Sequence, residues 1–245
     1  MSTEYIVSTF YQFVKLHDIE SWKNTFLDFC NANNIKGTIL VAEEGINSTL
    51  TATRKDMDKF YTFIHSFEEF AGMGYKESIS SYMPFKKMKV RLKKEIVKLL
   101  QDDFIDMEDR GEHLKYKEWN DLLKDPQTKV IDTRNDYEFA FGTFENAINP
   151  HIRNFTDLPE WVEKNLKDTP KDTPIAMFCT GGIRCEKSTA YMKAKGWEKV
   201  YHLDGGILQY FEDTPKDENL WNGRCFVFDD RIAVDTDLNA MNESN

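Results

Sequence analysis

No apolar run in this chain approaches the ~20 residues that a membrane-spanning helix needs. The first residues, Met-Ser-Thr-Glu-Tyr, have neither the basic start nor the apolar core of a signal peptide. The expectation is a cytoplasmic protein that does not enter a membrane. Cysteine is scarce as well. Cys30, Cys179, Cys185 and Cys225 are too few in 245 residues for a disulfide scaffold, and no Cys-x-x-Cys occurs. In a reducing compartment each is a small buried hydrophobe or a chemically active group. The five histidines, His17, His65, His113, His151 and His202, are scattered, which gives no support to a zinc site. The sequence also shows no two-His-one-carboxylate pattern for iron and no Gly-x-Gly-x-x-Gly for a flavin or nicotinamide. The expectation is therefore no metal and no evident cofactor.

Aromatic residues are plentiful. With 18 Phe, 10 Tyr and 5 Trp in 245 residues, the chain can fill two cores of roughly 100 residues each. The net charge of −10 is uneven. Residues 1–98 carry 14 Lys/Arg against 12 Asp/Glu, and residues 99–245 carry 18 against 30. A polyanion is expected to bind the first half or the seam between halves.

The first hundred residues read as β-α-β-β-α-β. Strands are expected near 4–13, 37–42, 46–52 and 78–92, and helices near 19–32 and after Thr53, a helix N-cap. That order is the split βαβ, or ferredoxin-like, α+β pattern. Residues 94–112 read as a charged connector, with an irregular strand at 96–99. In the second half short helices alternate with buried strands at 129–132, 175–178 and 199–203, which implies a parallel-sheet α/β domain over 113–232. Residues 233–245 read as a polar, flexible tail.

The stretch with most chemical content is Phe178-Cys179-Thr180-Gly181-Gly182-Ile183-Arg184-Cys185. An apolar strand delivers Cys179 to the sheet's carboxyl edge, where open α/β sheets place their sites. The glycines allow the backbone to curl with its N–H groups inward, and the next helix points its N-terminus at the loop. Those features favour a thiolate at Cys179. Cysteine phosphatases space Cys and Arg by five residues around a phosphate. Here Cys179 and Arg184 are separated by four, and the tighter loop suits a persulfide better. Arg184 either pairs with substrate anions or forms a salt bridge to a nearby carboxylate. Cys185 is either a small residue opening the helix or a resolving thiol. Cys30 and Cys225 read as core residues.

Residues 113–214 resemble a rhodanese domain: Asp132-Thr-Arg134 followed by Tyr137-Glu138-Phe139, then Cys179 at the persulfide-forming position, then Leu203-Asp-Gly205-Gly206. In place of the usual Gly-His-Ile the chain reads Gly142-Thr-Phe-Glu-Asn-Ala147-Ile-Asn-Pro150. That departure, Cys179-Thr-Gly-Gly-Ile-Arg-Cys-Glu-Lys187, Phe226-Val-Phe-Asp-Asp-Arg231 and Gly37-Thr-Ile-Leu-Val-Ala-Glu-Glu-Gly-Ile-Asn47 resemble the bacterial tRNA uridine hydroxylase (TrhO) family. The resemblance implies a ferredoxin-like domain joined to a rhodanese domain. It also implies conversion of wobble uridine to 5-hydroxyuridine in the anticodon region of tRNA, with molecular oxygen as co-substrate. It names no electron donor. Longer members of that family continue into a cysteine-rich tail, whose part is expected to be absent or replaced here.

For RNA contact the best segment is Lys86 to Lys94. On a strand, Lys87, Lys89, Arg91 and Lys93 share one face, and Met88, Val90 and Leu92 the other. The basic face could track a phosphate backbone, or it could guard an edge strand against aggregation. Tyr82, Phe85 or Phe141 could stack on a flipped base, and the sequence does not select among them. Two functions remain: tRNA hydroxylation, carried by the resemblance, and persulfide sulfur transfer by Cys179, carried by the loop.

Overall fold

The structure is a computed structural model that describes residues 4–101 and 104–240. The chain separates into two compact units. The first contains the described residues through Val97 together with Phe228–Ile232, and the second runs from Lys98 to Val227 and includes Ala233–Leu238.

The first unit comprises β1 (Tyr5–Phe13), α1 (Ile19–Ala32), β2 (Lys36–Ala42), β3 (Gly45–Ala52), α2 (Arg54–Ile64), β4 (Lys76–Ser80) and β5 (Met88–Leu92). The strands form one sheet in the order β4-β1-β3-β2-β5. All pairings are antiparallel except β2 with β5. Helical spacing brings Phe26 and Cys30 of α1 and Met57, Phe60 and Ile64 of α2 into a core with Phe10, Ile39, Val41, Ile46 and Leu50 of the sheet. Thr53 caps α2, its hydroxyl accepting from the Asp56 N–H at 3.3 Å. This is the expected ferredoxin-like arrangement.

One strand differs from the expectation. The single run over 78–92 is two strands on opposite edges of the sheet. Between them Ser80 turns the chain by accepting the Tyr82 N–H at 3.3 Å, and Pro84 has no N–H to give a ladder. The Pro84 carbonyl instead accepts the Asp230 N–H at 3.2 Å, and Arg231 donates to the Ser78 hydroxyl at 2.6 Å. Residues 228–232, expected in the rhodanese-like domain, thus belong to the first unit.

The second unit comprises β6 (Glu112–Leu114), α3 (Tyr116–Leu123), β7 (Lys129–Asp132), α4 (Asp136–Phe139), β8 (Gly142–Phe144), α5 (Leu158–Asn165), β9 (Ile175–Phe178), α6 (Ile183–Ala194), β10 (Val200–Leu203), α7 (Gly206–Asp213), β11 (Trp221–Gly223), β12 (Cys225–Phe226) and β13 (Ala233–Val234). Four strands form a parallel sheet in the order β6-β10-β9-β7. Phe144, Phe178, Tyr210 and Trp221 form a largely edge-to-face aromatic cluster, with ring centroids 4.9–6.1 Å apart where they meet.

Three boundaries depart from the sequence reading. Residues 96–99 form no strand: the chain bends at Ile96 and Val97, although Ile96 and Leu99 are buried. The end of the expected connector is strand β6, which pairs in parallel with β10. Ala233 and Val234, read as tail, are buried and pair with β12, because two apolar side chains in a polar stretch still gain from burial. The expected tail continues into 241–245, which lie outside the described residues.

Candidate active site

All four residues of β9 are buried, and Cys179 at its end is 1% exposed. The chain then reverses through Thr180 and Gly181 to Gly182, which caps α6 with φ 96°, a left-handed conformation that glycine adopts without strain. The Gly182 N–H donates to Cys179 Sγ at 3.2 Å. Burial alone pushes the Cys179 thiol up. It is outweighed by a hydrogen bond from Cys185, the charge of Arg184 and the backbone N–H groups of Arg184 and Cys185, so the net shift is downward. Cys185 moves the other way: burial and the neighbouring Cys179 keep its thiol protonated. The two form a thiolate–thiol pair, with no disulfide. The Thr133 hydroxyl lies 3.7 Å from Cys185 Sγ and donates to the Phe178 carbonyl at 3.0 Å.

The loop is held from its far side by α7. The N–H groups of Ile207 and Leu208 donate to the carbonyls of Cys179 and Thr180 at 3.0 and 3.1 Å. A Cβ on Gly206 would stand 2.5 Å from the Cys179 carbonyl oxygen, which accounts for the glycine in Leu203-Asp-Gly205-Gly206.

Arg184 is almost fully buried. Its Nη1 and Nη2 donate to Oε2 and Oε1 of Glu138 at 2.7 and 2.6 Å. The salt-bridge alternative for Arg184 is therefore realised, and its charge acts on Cys179 from within the protein. Glu138 also accepts from the Thr180 hydroxyl at 3.4 Å and the Asn135 N–H at 3.1 Å. Burial pushes the Glu138 carboxyl up, but Arg184, the Asn135 N–H and Arg134 together hold it below the ordinary range. Asp132 accepts from the backbone N–H, Nε and Nη2 of Arg134, the last at 2.6 Å, and so fixes the turn after β7. Burial pushes the Cys225 and Cys30 thiols up to about 12, as suits core residues.

Thr180, Gly181, Gly182, Ile183, Arg184 and Cys185 thus all gather at Cys179. Lys87, Lys89, Arg91 and Lys93 belong to the first unit: Lys89 and Arg91 lie on edge strand β5, and Lys87 and Lys93 flank its two ends. Met88, Val90 and Leu92 pack on the core, and Lys87, Arg91 and Lys93 are exposed. Tyr82 is tied to the Asp230 carbonyl by a 3.3 Å hydrogen bond, and Phe141 packs on Phe226 with centroids 5.4 Å apart.

A second cluster corrects the expectation of scattered histidines. His113 of β6 and His202 of β10 are register partners on adjacent strands, with ring centroids 3.9 Å apart. Glu186, in the first turn of α6, faces them, and one ligand atom from each of the three lies within 4.8 Å of the others. Burial pushes the His202 imidazole down to about 4, whereas the hydrogen bond to Glu186 raises His113. The sequence positions 113, 186 and 202 gave no periodic signal, because only the parallel pairing of β6 with β10 unites them.

A parallel α/β sheet whose central strand ends in a cysteine, cradled by backbone N–H groups at a helix start, defines a rhodanese-type reactive-sulfur protein. Residues 115–213 match the rhodanese-like domain family, and residues 5–96 match the UPF0176 acylphosphatase-like domain. The tRNA uridine(34) hydroxylase of Anaplasma phagocytophilum (strain HZ) is 49% identical over 238 residues, covering 97% of this chain and 85% of that protein. That of Anaplasma marginale (strain Florida) is 48% identical over 234 residues, covering 96% and 84%. The chain belongs to the tRNA uridine(34) hydroxylase family. Among solved structures, a rhodanese-related protein from Thermoplasma volcanium aligns with 42% of this chain and 95% of its own, at 23% identity and a TM-score of 0.34.

Proposed function

We propose that this protein is a cytoplasmic enzyme that hydroxylates the wobble uridine of tRNA at C5, in the anticodon region, with molecular oxygen as co-substrate. The observation that carries this reading is 49% identity over 97% of the chain to a protein named tRNA uridine(34) hydroxylase. The site supports it with a reactive sulfur. Replacing C–H by C–OH uses one atom of O2, and the other leaves as water after taking up two electrons and two protons. A Cys179 thiolate and a Cys185 thiol that close to a disulfide release two electrons and one proton, and solvent supplies the second proton. An external thiol then reduces the disulfide. In this reading Cys185 is the resolving thiol, and the basic face of β5 holds the RNA backbone.

The test is mass analysis of tRNA nucleosides from cells lacking the gene, rescued with wild type, Cys179→Ala or Cys185→Ser. Loss of 5-hydroxyuridine on deletion, restored by wild type alone, is expected. Unchanged 5-hydroxyuridine after deletion would sink the reading, and full rescue by Cys179→Ala would remove the sulfur from the mechanism.

The cradle around Cys179 also favours a second reading, persulfide sulfur transfer. The thiolate would take the outer sulfur of thiosulfate, with sulfite leaving, and the inward N–H groups would hold the persulfide. Rapid thiosulfate:cyanide transfer together with unaltered tRNA in the deletion strain would support it.

A further inference from the structure

His202 is 1% exposed, and among the described residues neither ring nitrogen has a hydrogen-bond partner in good geometry, although the Gly111 backbone interacts with the ring. A buried polar atom left in that state is costly, and native structures keep one only for a reason, a bound ion among them. The neighbouring groups are those that bind metals. Glu186 Oε1 lies 3.1 Å from His113 Nε2, and Arg110 Nη1 donates to Glu186 Oε2 at 3.0 Å. Arg110 thus engages Oε2 of Glu186, and Oε1 meets the His113 imidazole. Two ligands each about 2.1 Å from a metal, at right angles to one another, stand about 3.0 Å apart. The 3.1 Å His113–Glu186 spacing, now a hydrogen bond, matches that distance.

We propose that His113, Glu186 and His202 form a binding site for one divalent transition-metal ion. The ligands come from three elements: strand β6, strand β10 and the first turn of helix α6. Two imidazoles and one carboxylate on one side of the ion leave its remaining positions open, the donor set that suits Fe(II) and that Mn(II), Co(II) or Zn(II) also accept. Arg110 is the outer partner that orients Glu186, the role such carboxylate-bound groups play at metal centres. His113 and Arg110, each 38% exposed, lie on the solvent side of the cluster, and Glu186 and His202 are buried. Binding requires the His113–Glu186 proton to leave, so metal uptake releases it. The proposal concerns binding and stands independently of the hydroxylase reading.

The test uses the full-length protein, freed of metal by a chelator and titrated with Co(II) or Zn(II), and with Fe(II) under argon. One equivalent should bind, with a Co(II) spectrum that lacks thiolate-to-metal charge transfer. Binding should persist in the Cys179→Ala, Cys185→Ala double variant. It should weaken at least tenfold in His202→Gln and in Glu186→Gln. For either variant that fails to fold, anomalous diffraction from wild-type crystals soaked in Co(II) or Zn(II) provides the readout, with a peak expected between the three side chains. No stoichiometric uptake of any of these ions, uptake that survives His202→Gln, or a spectrum showing sulfur ligation would overturn the proposal.

Discussion

Arg184 and Glu138 meet through two parallel N–H···O bonds at 2.7 and 2.6 Å, with the carboxylate wholly buried. This fork joins the start of α6 to α4 and sets a positive charge beside Cys179. Removing one partner strands the other charge in the interior. Glu138→Ala is expected to lower stability by about 3–5 kcal/mol, the usual cost of breaking a buried pair. Arg184→Lys should also be destabilising, because an ammonium cannot fill the planar fork. Denaturant unfolding measures both, and a Glu138→Ala loss below about 1 kcal/mol would contradict the pair's structural weight.

The same charge, after the hydrogen bond from Cys185, helps to lower the Cys179 thiol. With the Cys179 thiol pulled below its ordinary value of about 8.5, alkylation by iodoacetamide should reach half its maximal rate below that pH. Arg184→Gln should move the midpoint upward. The sign for stability follows from linkage. A thiol depressed in the folded state contributes stability that is full above the unfolded value and is lost as pH falls through the folded one. Cys185 is raised, so above about 8.5 the unfolded chain ionises a thiol that the fold keeps protonated, and stability falls. The Cys179 contribution to unfolding free energy should therefore rise with pH up to about 8.5, and Cys179→Ser should remove that part of the pH dependence. An alkylation midpoint at or above about 8.5 in the wild type would refute the lowered value.

The strand pattern explains what could be read from the chain alone. Ile175–Phe178 is uniformly apolar and leads into Cys-Thr-Gly-Gly, so strand, turn and helix start were all legible from local chemistry. The β4–β5 break was not, because Pro84 lies inside a stretch that otherwise alternates like a strand, and its consequence is a crossing to the opposite sheet edge. Glu138 was visible as part of a motif, but not as the partner of Arg184. Forty-six residues separate the two, and only the packing of α4 beside the loop joins them. The His113–His202 pair depends in the same way on parallel pairing, and strand β6 is only three residues long.

Gly206 tests how closely the loop is packed. A methyl group there would meet the Cys179 carbonyl oxygen at 2.5 Å and the Gly182 nitrogen at 2.6 Å, and the residue sits at φ 71°. Gly206→Ala combines overpacking with an unfavourable backbone and is expected to cost about 1–3 kcal/mol. It should also displace the Cys179 amide cradle and slow alkylation of Cys179 at neutral pH. Gly196→Ala, in open space at the end of α6, serves as the control for left-handed strain alone. Equal losses at the two positions would mean that packing against the loop contributes nothing.

The basic face of β5 gives the last prediction. Lys87, Arg91 and Lys93 are exposed, while Met88, Val90 and Leu92 anchor the strand from the other side. Charge reversal at Lys87 and Arg91 should therefore leave the fold intact, since neither side chain contributes to the core. Each cation withdrawn from a phosphate should lower the slope of log affinity against log salt by roughly 0.7–0.9. The double variant Lys87→Glu, Arg91→Glu is thus expected to weaken tRNA binding and to reduce that slope by roughly 1.5 in total. The measurement is tRNA binding across a salt series, with unfolding curves run in parallel. Affinity and slope equal to wild type would leave these side chains the single role of keeping an edge strand from pairing with another chain, and the double variant would then show itself only as altered aggregation.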